Sequence, residues 1–339
     1  MKKLLSLVVP AYNEEKLLQG SIDAIARAMT EAGIPYELVL VDDGSTDNTW
    51  GIIEACSSRR DAVHGVRLSR NFGKESAIFA GLKHAAGDCC IVMDCDLQHP
   101  PSAAVQMYKL WLHNGFDIIE GKKSSRGKES LAYKLSAGLF YKLMRAASGI
   151  NLENASDFKL LDRKVVDIIK SMPEKQTFFR AMPSWLGFRT GEVRFEVPER
   201  ETGRSRWSFR GLVKLAVTAI TSFSALPMQL VTVCGVAFLV FALVMAIQTL
   251  YMKLSGHAVE GFTTVIILLL VIGSVIMFSL GVIGIYLSKI YEEVKSRPKF
   301  IVSDLAGFRS AEAGKLAENL AQVDHEAACS GEGRSQLGA

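Results

Sequence analysis

The N-terminal part of the chain alternates short apolar runs with longer amphipathic segments. Four of the short runs are typical of buried strands: LLSLVVPAY (4–12), YELVLVDD (36–43), VHGVRLSR (63–70) and CCIVMDCD (89–96). In the segments between them, apolar residues recur at helical spacing, and the first such segment stops at Gly33. Strands that alternate with helices predict an α/β fold with a mostly parallel sheet.

Polar side chains follow each of the four predicted strands. They are Tyr12 and Glu14, Asp42 and Asp43, Arg70 and Lys74, and Asp94, Asp96 and Gln98. Ligands of parallel α/β sheets bind at the carboxyl ends of the strands, so we expect these side chains to share one site. Taken singly, each of them is equally typical of a turn or a helix cap.

The pattern is mixed beyond Gly115. It predicts a strand and a basic loop over 116–130, an amphipathic helix over 131–149, a strand leading into a helix over 158–173, and a strand or hairpin arm over 188–200. The stretch from Gln176 to Arg180 is similar to the Gln-x-x-Arg-Trp motif of processive sugar synthases, but its spacing differs and it lacks the adjacent Trp.

Two long apolar segments follow, at 226–252 and 262–288. Neither contains a charged residue, and each exceeds the roughly 20 apolar residues that cross a bilayer. We therefore predict a two-helix transmembrane hairpin; the alternative is a very hydrophobic hairpin buried inside a soluble protein. Basic residues flank the hairpin on both outer sides: Arg204, Arg206, Arg210 and Lys214 before it, and Lys289, Lys295, Arg297 and Lys299 after it. This distribution predicts that both ends of the hairpin face the cytoplasm.

The predicted organisation follows from these segments. A cytoplasmic domain is expected over 1–209, since the apolar run at the N-terminus is too short for a secretory signal. Residues 210–225 predict an amphipathic helix at the membrane surface. A cytoplasmic C-terminal segment is expected over 289–339. Its residues from about 306 are rich in Ala, Gly, Glu and Ser and predict disorder.

Composition narrows the function classes. The 339 residues contain 39 Lys and Arg against 35 Asp and Glu, and a net charge of +4 gives no support to nucleic-acid binding. The six cysteines show no zinc-ligand spacing, which agrees with a reducing compartment.

The stretch IVMDCDLQHPP (91–101) carries the sharpest chemical signal. Its strand-like start ends in Asp94 and Asp96, and Pro100 and Pro101 prevent the strand from continuing. Two carboxylates this close repel each other unless a cation lies between them. The alternatives are a solvated turn and a divalent metal held beside a phosphate.

The segments VVPAYNEE, VDDGSTD, MDCDLQHPP and SDFKLLDR, in this order and followed by two apolar spans, resemble the family 2 inverting glycosyltransferases of the polyprenyl-phosphate type. That family includes dolichol-phosphate mannose synthase and undecaprenyl-phosphate glucosyltransferase. The resemblance covers about residues 4–300 and implies a GT-A nucleotide-binding domain.

The resemblance also implies roles for individual residues. Asp94, Asp96 and Gln98 would bind Mg²⁺ or Mn²⁺, ions that prefer oxygen ligands. The residues expected around the nucleotide are Pro10, Tyr12, Glu14, Asp42, Lys74 and Asp94, and Asp43 competes with Asp42 for its role. Asp157 would act as a catalytic base or orient the acceptor. The residues expected to hold phosphates are Arg126, Arg200 and Arg206.

The implied activity is the transfer of one sugar from a nucleotide diphosphate sugar to polyprenyl phosphate at the cytoplasmic face of the inner membrane, with inversion. UDP-glucose is the favoured donor and undecaprenyl phosphate the implied acceptor, with GDP-mannose and an amino-sugar nucleotide as alternative donors. A homo-oligomer is left open. A different class, a catalytically silent membrane scaffold, would not need the acidic residues at the strand ends.

Overall fold

A computed structural model describes residues 3–123, 156–172, 179–180, 182–196, 226–255, 261–295 and 297–308. Within these residues the strands are β1 Leu5–Ala11, β2 Tyr36–Asp42, β3 Val63–Leu68, β4 Cys89–Val92, β5 Ile118–Lys123, β6 Lys159–Asp162, β7 Thr190–Phe195 and β8 Val302–Ala306. The helices are α1 Leu18–Glu31, α2 Thr49–Ser57, α3 Lys74–His84, α4 Pro101–Asn114, α5 Arg163–Ser171, α6 Met182–Trp185, α7 Leu226–Leu254 and α8 Phe262–Val294.

The strands form one sheet in the order β7-β5-β6-β4-β1-β2-β3-β8. The neighbours β4, β1, β2 and β3 run parallel, whereas β6 and β8 run antiparallel to β4 and β3. The predicted α/β fold with a mostly parallel centre is therefore confirmed. The predicted strands and helices over 116–123, 158–172 and 188–196 are confirmed as well, and the helix predicted over 131–149 lies outside the described residues.

Both faces of the central strands are buried. In β1, Leu5 and Leu7 pack on one side with α1 and α4, while Val8 packs on the other side with α3 and α5. The same alternation in β2 places Leu38 and Leu40 opposite Val39 and Val41. A sheet covered by helices on both faces leaves its strand ends as the natural place for a ligand.

The antiparallel pairing of β4 with β6 has a direct effect on the site. Val92, the last residue of β4, pairs with Lys159, the first residue of β6. Asp94 lies two residues after β4 and Asp157 two residues before β6, so both aspartates are at the same edge of the sheet. Residues that are distant in sequence meet there.

The strand β8 extends the sheet at its other side. It pairs antiparallel with β3, and the Ser69 amide donates to the Ile301 carbonyl at 2.9 Å. The ring of Phe308 stacks on His64 with centroids 4.7 Å apart. This strand was not predicted from the sequence, and it lies beyond the expected 1–209 boundary. Most of the segment predicted to be disordered, from residue 309 onward, lies outside the described residues.

The two predicted apolar spans correspond to α7 and α8. Within the described residues, Val271–Val294 of α8 is long and apolar enough to cross a membrane: it has 24 residues, and an 18-residue window within it has a mean hydropathy of 2.1. In α7 the apolar stretch found within the described residues, Val231–Met245, is shorter, and the two-helix hairpin stays a prediction. The predicted amphipathic segment 210–225 lies outside the described residues.

Close packing of α3 on the sheet depends on Gly81. A Cβ at this position would lie 2.3 Å from Val8 Cγ1 and 3.0 Å from Val41 Cγ2. We expect Gly81→Val to lower the free energy of unfolding by about 2–3 kcal/mol, because overpacking a core displaces its neighbours. The thermal unfolding midpoint of the purified full chain measures this loss.

The control for Gly81 is Gly20, an exposed glycine in α1. No atom lies within 4 Å of the position where its Cβ would be. Gly20→Ala should leave the midpoint unchanged or raise it, by up to about 1 kcal/mol in stability, because Ala favours helix over Gly. Equal midpoints for the two variants would contradict the packing described for α3.

Candidate active site

A cavity of about 330 Å³ lies at the carboxyl ends of β1, β2 and β4. It is lined by residues from these strand ends and from the start of α3: Pro10, Ala11, Tyr12, Glu14, Asp43, Asn71, Gly73, Lys74, Ala77, Asp94, Cys95 and Asp96. Six of the predicted site residues are in this set: Pro10, Tyr12, Glu14, Lys74, Asp94 and Asp96. The expectation that the strand ends share one site agrees with this geometry.

The two aspartates at the end of β2 have different surroundings. Asp42 is fully buried: one carboxylate oxygen accepts from the Ser45 amide at 2.9 Å, and the other lies 3.6 Å from Arg67 Nε without a hydrogen-bond partner among the described residues. Asp43 lines the cavity instead. The sequence left the roles of the two aspartates open, and the structure places Asp43 on the cavity wall with Asp42 behind it.

Asp43 also fixes the loop that leads into α3. Its carboxylate accepts from the amides of Phe72 at 2.8 Å and Gly73 at 2.9 Å. Burial raises the pKa of Asp43, although these two hydrogen bonds oppose the rise. Gly73 has φ of +97°, which favours glycine at this turn. The first residue of α3, Lys74, is held in place by this loop.

Three carboxylates that line the cavity, those of Glu14, Asp94 and Asp96, lie close enough to influence one another. Burial raises the pKa of Glu14, and the charges of Asp96, Asp47 and Asp94 raise it further. A cavity wall with this much negative charge and with carboxylate oxygens as ligands suits a divalent cation such as Mg²⁺ or Mn²⁺. Within the described residues, no group of three or more His, Cys, Asp or Glu side chains forms a preassembled metal site. The fit therefore rests on the donor chemistry and the charge.

The other neighbours of the acidic pair serve structural contacts. The backbone N–H of Gln98 donates to Asp96 Oδ1 at 3.1 Å, and Gln98 is not among the residues that line the cavity. Burial raises the pKa of the Cys95 thiol to about 12, which keeps it protonated and makes it a poor ligand. His99 is buried, and its ring stacks on Phe158 with centroids 4.6 Å apart.

Asp157 lies at the centre of an ion-pair network. Arg180 donates to its carboxylate through Nε at 3.1 Å and Nη2 at 2.9 Å, and Lys74 Nζ lies 3.0 Å away. Burial raises the pKa of Asp157, but the hydrogen bonds and charges of Arg180 and Lys74 outweigh it and hold the pKa well below its usual range. Asp157 is therefore ionised near neutral pH and a weak proton acceptor.

Lys74 connects Asp157 with the acidic pair. Its Nζ lies 2.6 Å from Asp94 Oδ1 as well as 3.0 Å from Asp157 Oδ2. Burial lowers the pKa of Lys74, but the two carboxylates outweigh this and raise it. The ammonium group thus stays charged and links the end of β4 to the start of β6.

A second layer of buried charges supports this network. Lys159 is fully buried, pairs with Glu120 across β5 and β6 at 2.5 Å, and donates to the Arg180 carbonyl at 3.0 Å. Glu75 accepts from the Phe179 amide at 2.8 Å, and burial raises its pKa to about 7. The sequence did not predict that Glu75, Glu120 and Lys159 belong to this network. Arg180 is the one member that a sequence pattern singled out, through the similarity of residues 176–180 to the Gln-x-x-Arg-Trp motif.

The three arginines predicted to bind phosphates, Arg126, Arg200 and Arg206, lie outside the described residues. Their predicted roles remain predictions.

An α/β sheet with an acidic and basic cavity at its parallel strand ends is the arrangement in which α/β proteins bind their ligands. Residues 6–169 match the model of "Glycosyl transferase family 2". Together with the relatives described next, this shows that the chain belongs to glycosyl transferase family 2 and is a glycosyltransferase, as its motifs predict.

Curated relatives match nearly the whole chain. An uncharacterized glycosyltransferase of Synechocystis sp. is 37% identical over 92% of this chain and 98% of its own length. The bactoprenol glucosyl transferase of Shigella phage SfII is 36% identical over 88% of this chain and 97% of its own. The prophage bactoprenol glucosyl transferase homolog of Escherichia coli is also 36% identical, over 88% and 98%.

Among solved structures, glucosyl-3-phosphoglycerate synthase from Mycobacterium tuberculosis, crystallised with Mn²⁺, uridine diphosphate and phosphoglyceric acid, matches 65% of this chain and 76% of its own. The identity is 21% and the TM-score 0.47.

Proposed function

We propose that this protein transfers a single sugar from a nucleotide diphosphate sugar to a polyprenyl phosphate, with inversion at the anomeric carbon. UDP-glucose is the favoured donor and undecaprenyl phosphate the favoured acceptor. The observation that carries the proposal is the linkage of Asp94 to Asp157 through Lys74. This linkage brings Asp94 and Asp96, the pair expected at the sugar donor, to the same edge of the sheet as Asp157, the residue expected at the lipid acceptor. Relatives named bactoprenol glucosyl transferases support the lipid acceptor and the glucosyl donor.

The donor half of the proposed site consists of strand-end residues. Asp94 and Asp96 would hold a divalent cation, with Gln98 as the third ligand implied by the family resemblance. When bound, such a cation neutralises the diphosphate and helps it to leave. Tyr12, a residue 44% exposed beside the cavity, offers a ring face to a base, and Pro10 and Glu14 complete this wall.

The hydrogen-bond acceptor for the nucleoside is proposed at the end of β2. The family resemblance favours Asp42 for this role, but Asp42 is fully buried and does not line the cavity. Asp43 lines the cavity and is the one of the two that a base can reach without rearrangement, while its carboxylate also accepts from the Phe72 and Gly73 amides.

The acceptor half is built around Asp157. A phosphate oxygen attacks the anomeric carbon in line, the bond from that carbon to the diphosphate breaks, and the electron pair leaves with the nucleoside diphosphate. A lipid phosphate is anionic near neutral pH and needs no strong base. The low pKa of Asp157 therefore favours an orienting role through Arg180 and Lys74 over proton abstraction. Arg126, Arg200 and Arg206 are proposed to hold the phosphates.

The lipid acceptor gives a reason for the apolar segments. We place α7 and α8 in the membrane as a hairpin, with the domain over 1–209, the amphipathic segment 210–225 and the C-terminal segment on the cytoplasmic side. Within the described residues, the apolar length of Val271–Val294 supports one of the two spans. The basic flanks support the orientation.

A donor panel tests the proposed function. The purified full chain is incubated with undecaprenyl phosphate, Mg²⁺ or Mn²⁺, and either UDP-glucose, GDP-mannose or a UDP-linked amino sugar, and glycolipid is measured. We expect UDP-glucose to be used on the order of 10-fold or more faster than the others, because buried polar contacts discriminate donors strongly. Preference for another donor would contradict the choice of UDP-glucose. No transfer with any donor would favour the silent scaffold.

A further inference from the structure

Lys74 lies between the two halves of the site and contacts both of them. It is the first residue of α3, its backbone follows a loop fixed by Asp43, and its ammonium contacts two carboxylates from different strands. A cation so placed balances two negative charges that would otherwise repel each other.

The contact with Asp94 creates a competition. Lys74 Nζ lies 2.6 Å from Asp94 Oδ1, so it uses the charge and one oxygen of a carboxylate that the proposed function assigns to a divalent cation. The Lys74 ammonium and a divalent cation would therefore compete for the Asp94 carboxylate, since each of them neutralises the same negative charge. The Lys74 side chain is 43% exposed and that of Asp94 is 31% exposed, so the pair is open to exchange with solutes.

The contact with Asp157 would keep the Lys74 ammonium in the site if the contact with Asp94 were lost. Asp157 holds the same ammonium at 3.0 Å and is only 9% exposed, with Arg180 on its other side. Release of Asp94 therefore does not free the ammonium group completely. It leaves one side of the group open to a new anion near the cavity.

We propose that Lys74 is an exchangeable counter-ion that couples the donor half of the site to the acceptor half. Without ligand it pairs with Asp94 and Asp157. When a divalent cation binds to Asp94, Lys74 gives up this carboxylate, keeps Asp157, and turns to a phosphate oxygen of the donor. This inference rests on the proposed function for the identity of the donor, but the exchange at Asp94 requires only the cation.

Replacement of Lys74 should change cation binding and turnover in opposite directions. In Lys74→Met, Mn²⁺ binding to the full chain without nucleotide, measured by electron paramagnetic resonance, should tighten on the order of 5-fold, since loss of a half-exposed ion pair removes the competitor. With metal, nucleotide sugar and lipid present, its single-turnover rate should fall on the order of 10-fold, since a charge-assisted phosphate contact is lost. A purely structural lysine would not tighten metal binding.

Two further variants separate exchange from general effects. Lys83→Met removes the same side chain from the other, exposed end of α3 and should leave Mn²⁺ affinity within about 2-fold, because a distant exposed charge is screened. Lys74→Arg keeps the charge on a group that also binds carboxylates, so its Mn²⁺ affinity should not exceed that of the wild type. If Lys74→Met is unstable by thermal unfolding, Lys74→Gln takes its place with the same expectation.

Unchanged or weaker Mn²⁺ binding in Lys74→Met would overturn the proposal, as would absence of Mn²⁺ binding in every variant. Tight binding in Lys74→Arg equal to that of Lys74→Met would also overturn it. The metal measurement contains neither sugar nor lipid. Failure of the proposed sugar transfer would therefore appear in the donor panel and leave the metal result independent.

Discussion

Asp157→Asn is expected to lower the single-turnover rate by about 10²–10⁴-fold while nucleotide affinity changes little, a range typical of losing a positioned acid–base or orienting group. The amide keeps the shape of the side chain but loses the charge that holds Arg180 and Lys74 at 2.9–3.0 Å. Rapid-quench measurement with saturating lipid gives the rate, and calorimetry gives the nucleotide affinity.

The pH dependence separates the two roles left open for Asp157. Its pKa lies well below the usual range, so the carboxylate stays ionised through the neutral range and contributes no step to the rate profile there. An orienting Asp157 predicts parallel wild-type and variant profiles between pH 6 and 8, roughly the physiological range. If Asp157 is a general base, the wild-type rate should rise with pH as the carboxylate ionises, and the Asp157→Asn profile should lack this rise.

Asp162→Asn is the matched control for Asp157. Asp162 lies at the other end of β6, where it accepts from the Lys164 amide at 3.0 Å and from Trp111 Nε1 at 2.8 Å. This variant should lose about 1 kcal/mol of stability and keep its turnover, because an amide has one acceptor oxygen and cannot serve both the Lys164 amide and Trp111 Nε1. A wild-type rate in Asp157→Asn would reduce Asp157 to a structural ion-pair partner.

Asp96→Ala is expected to lower transfer on the order of 1,000-fold. Metal coordination supplies several kcal/mol of transition-state stabilisation, and each 1.4 kcal/mol corresponds to about tenfold in rate. Asp96 is exposed and makes no ion pair among the described residues, so its loss should not unfold the chain. A chelator added to the wild type should reproduce the effect of the substitution.

The control for Asp96 is Asp61→Ala. Asp61 is exposed in the turn before β3, at the edge of the sheet opposite the cavity. Its removal should leave both the rate and the response to chelator unchanged. An Asp96→Ala enzyme that works at the wild-type rate in chelator would exclude the assignment of the metal to this carboxylate.

The part of the site that lies at the ends of parallel strands could be predicted from the sequence. Tyr12, Glu14 and Asp94 follow β1 and β4, and hydrophobic patterning locates both strands, so their convergence follows from the geometry of a parallel sheet. Lys74 could be placed by the same argument, since α3 begins after the loop that follows β3.

Other contacts depend on pairings that local patterns do not encode. Which of Asp42 and Asp43 faces the cavity is set by hydrogen bonds to the loop at Phe72 and Gly73, about 30 residues away along the chain. Arg180 reaches Asp157 only because β6 joins β4 antiparallel and Lys159 holds the Arg180 carbonyl. The start of α2 at Thr49 follows from Asp47, whose carboxylate accepts from the Thr49 amide.

The strand β8 has a consequence for the order of events during synthesis. The ribosome makes residues 302–306 after both long helices, so β3 stays an unprotected edge until the apolar segments have left the exit tunnel. An open edge strand is a template for pairing with other chains. A gene shortened after residue 209 would therefore encode a chain with a permanently exposed β3 and without Phe308 on His64, prone to aggregate however well its nucleotide cavity forms.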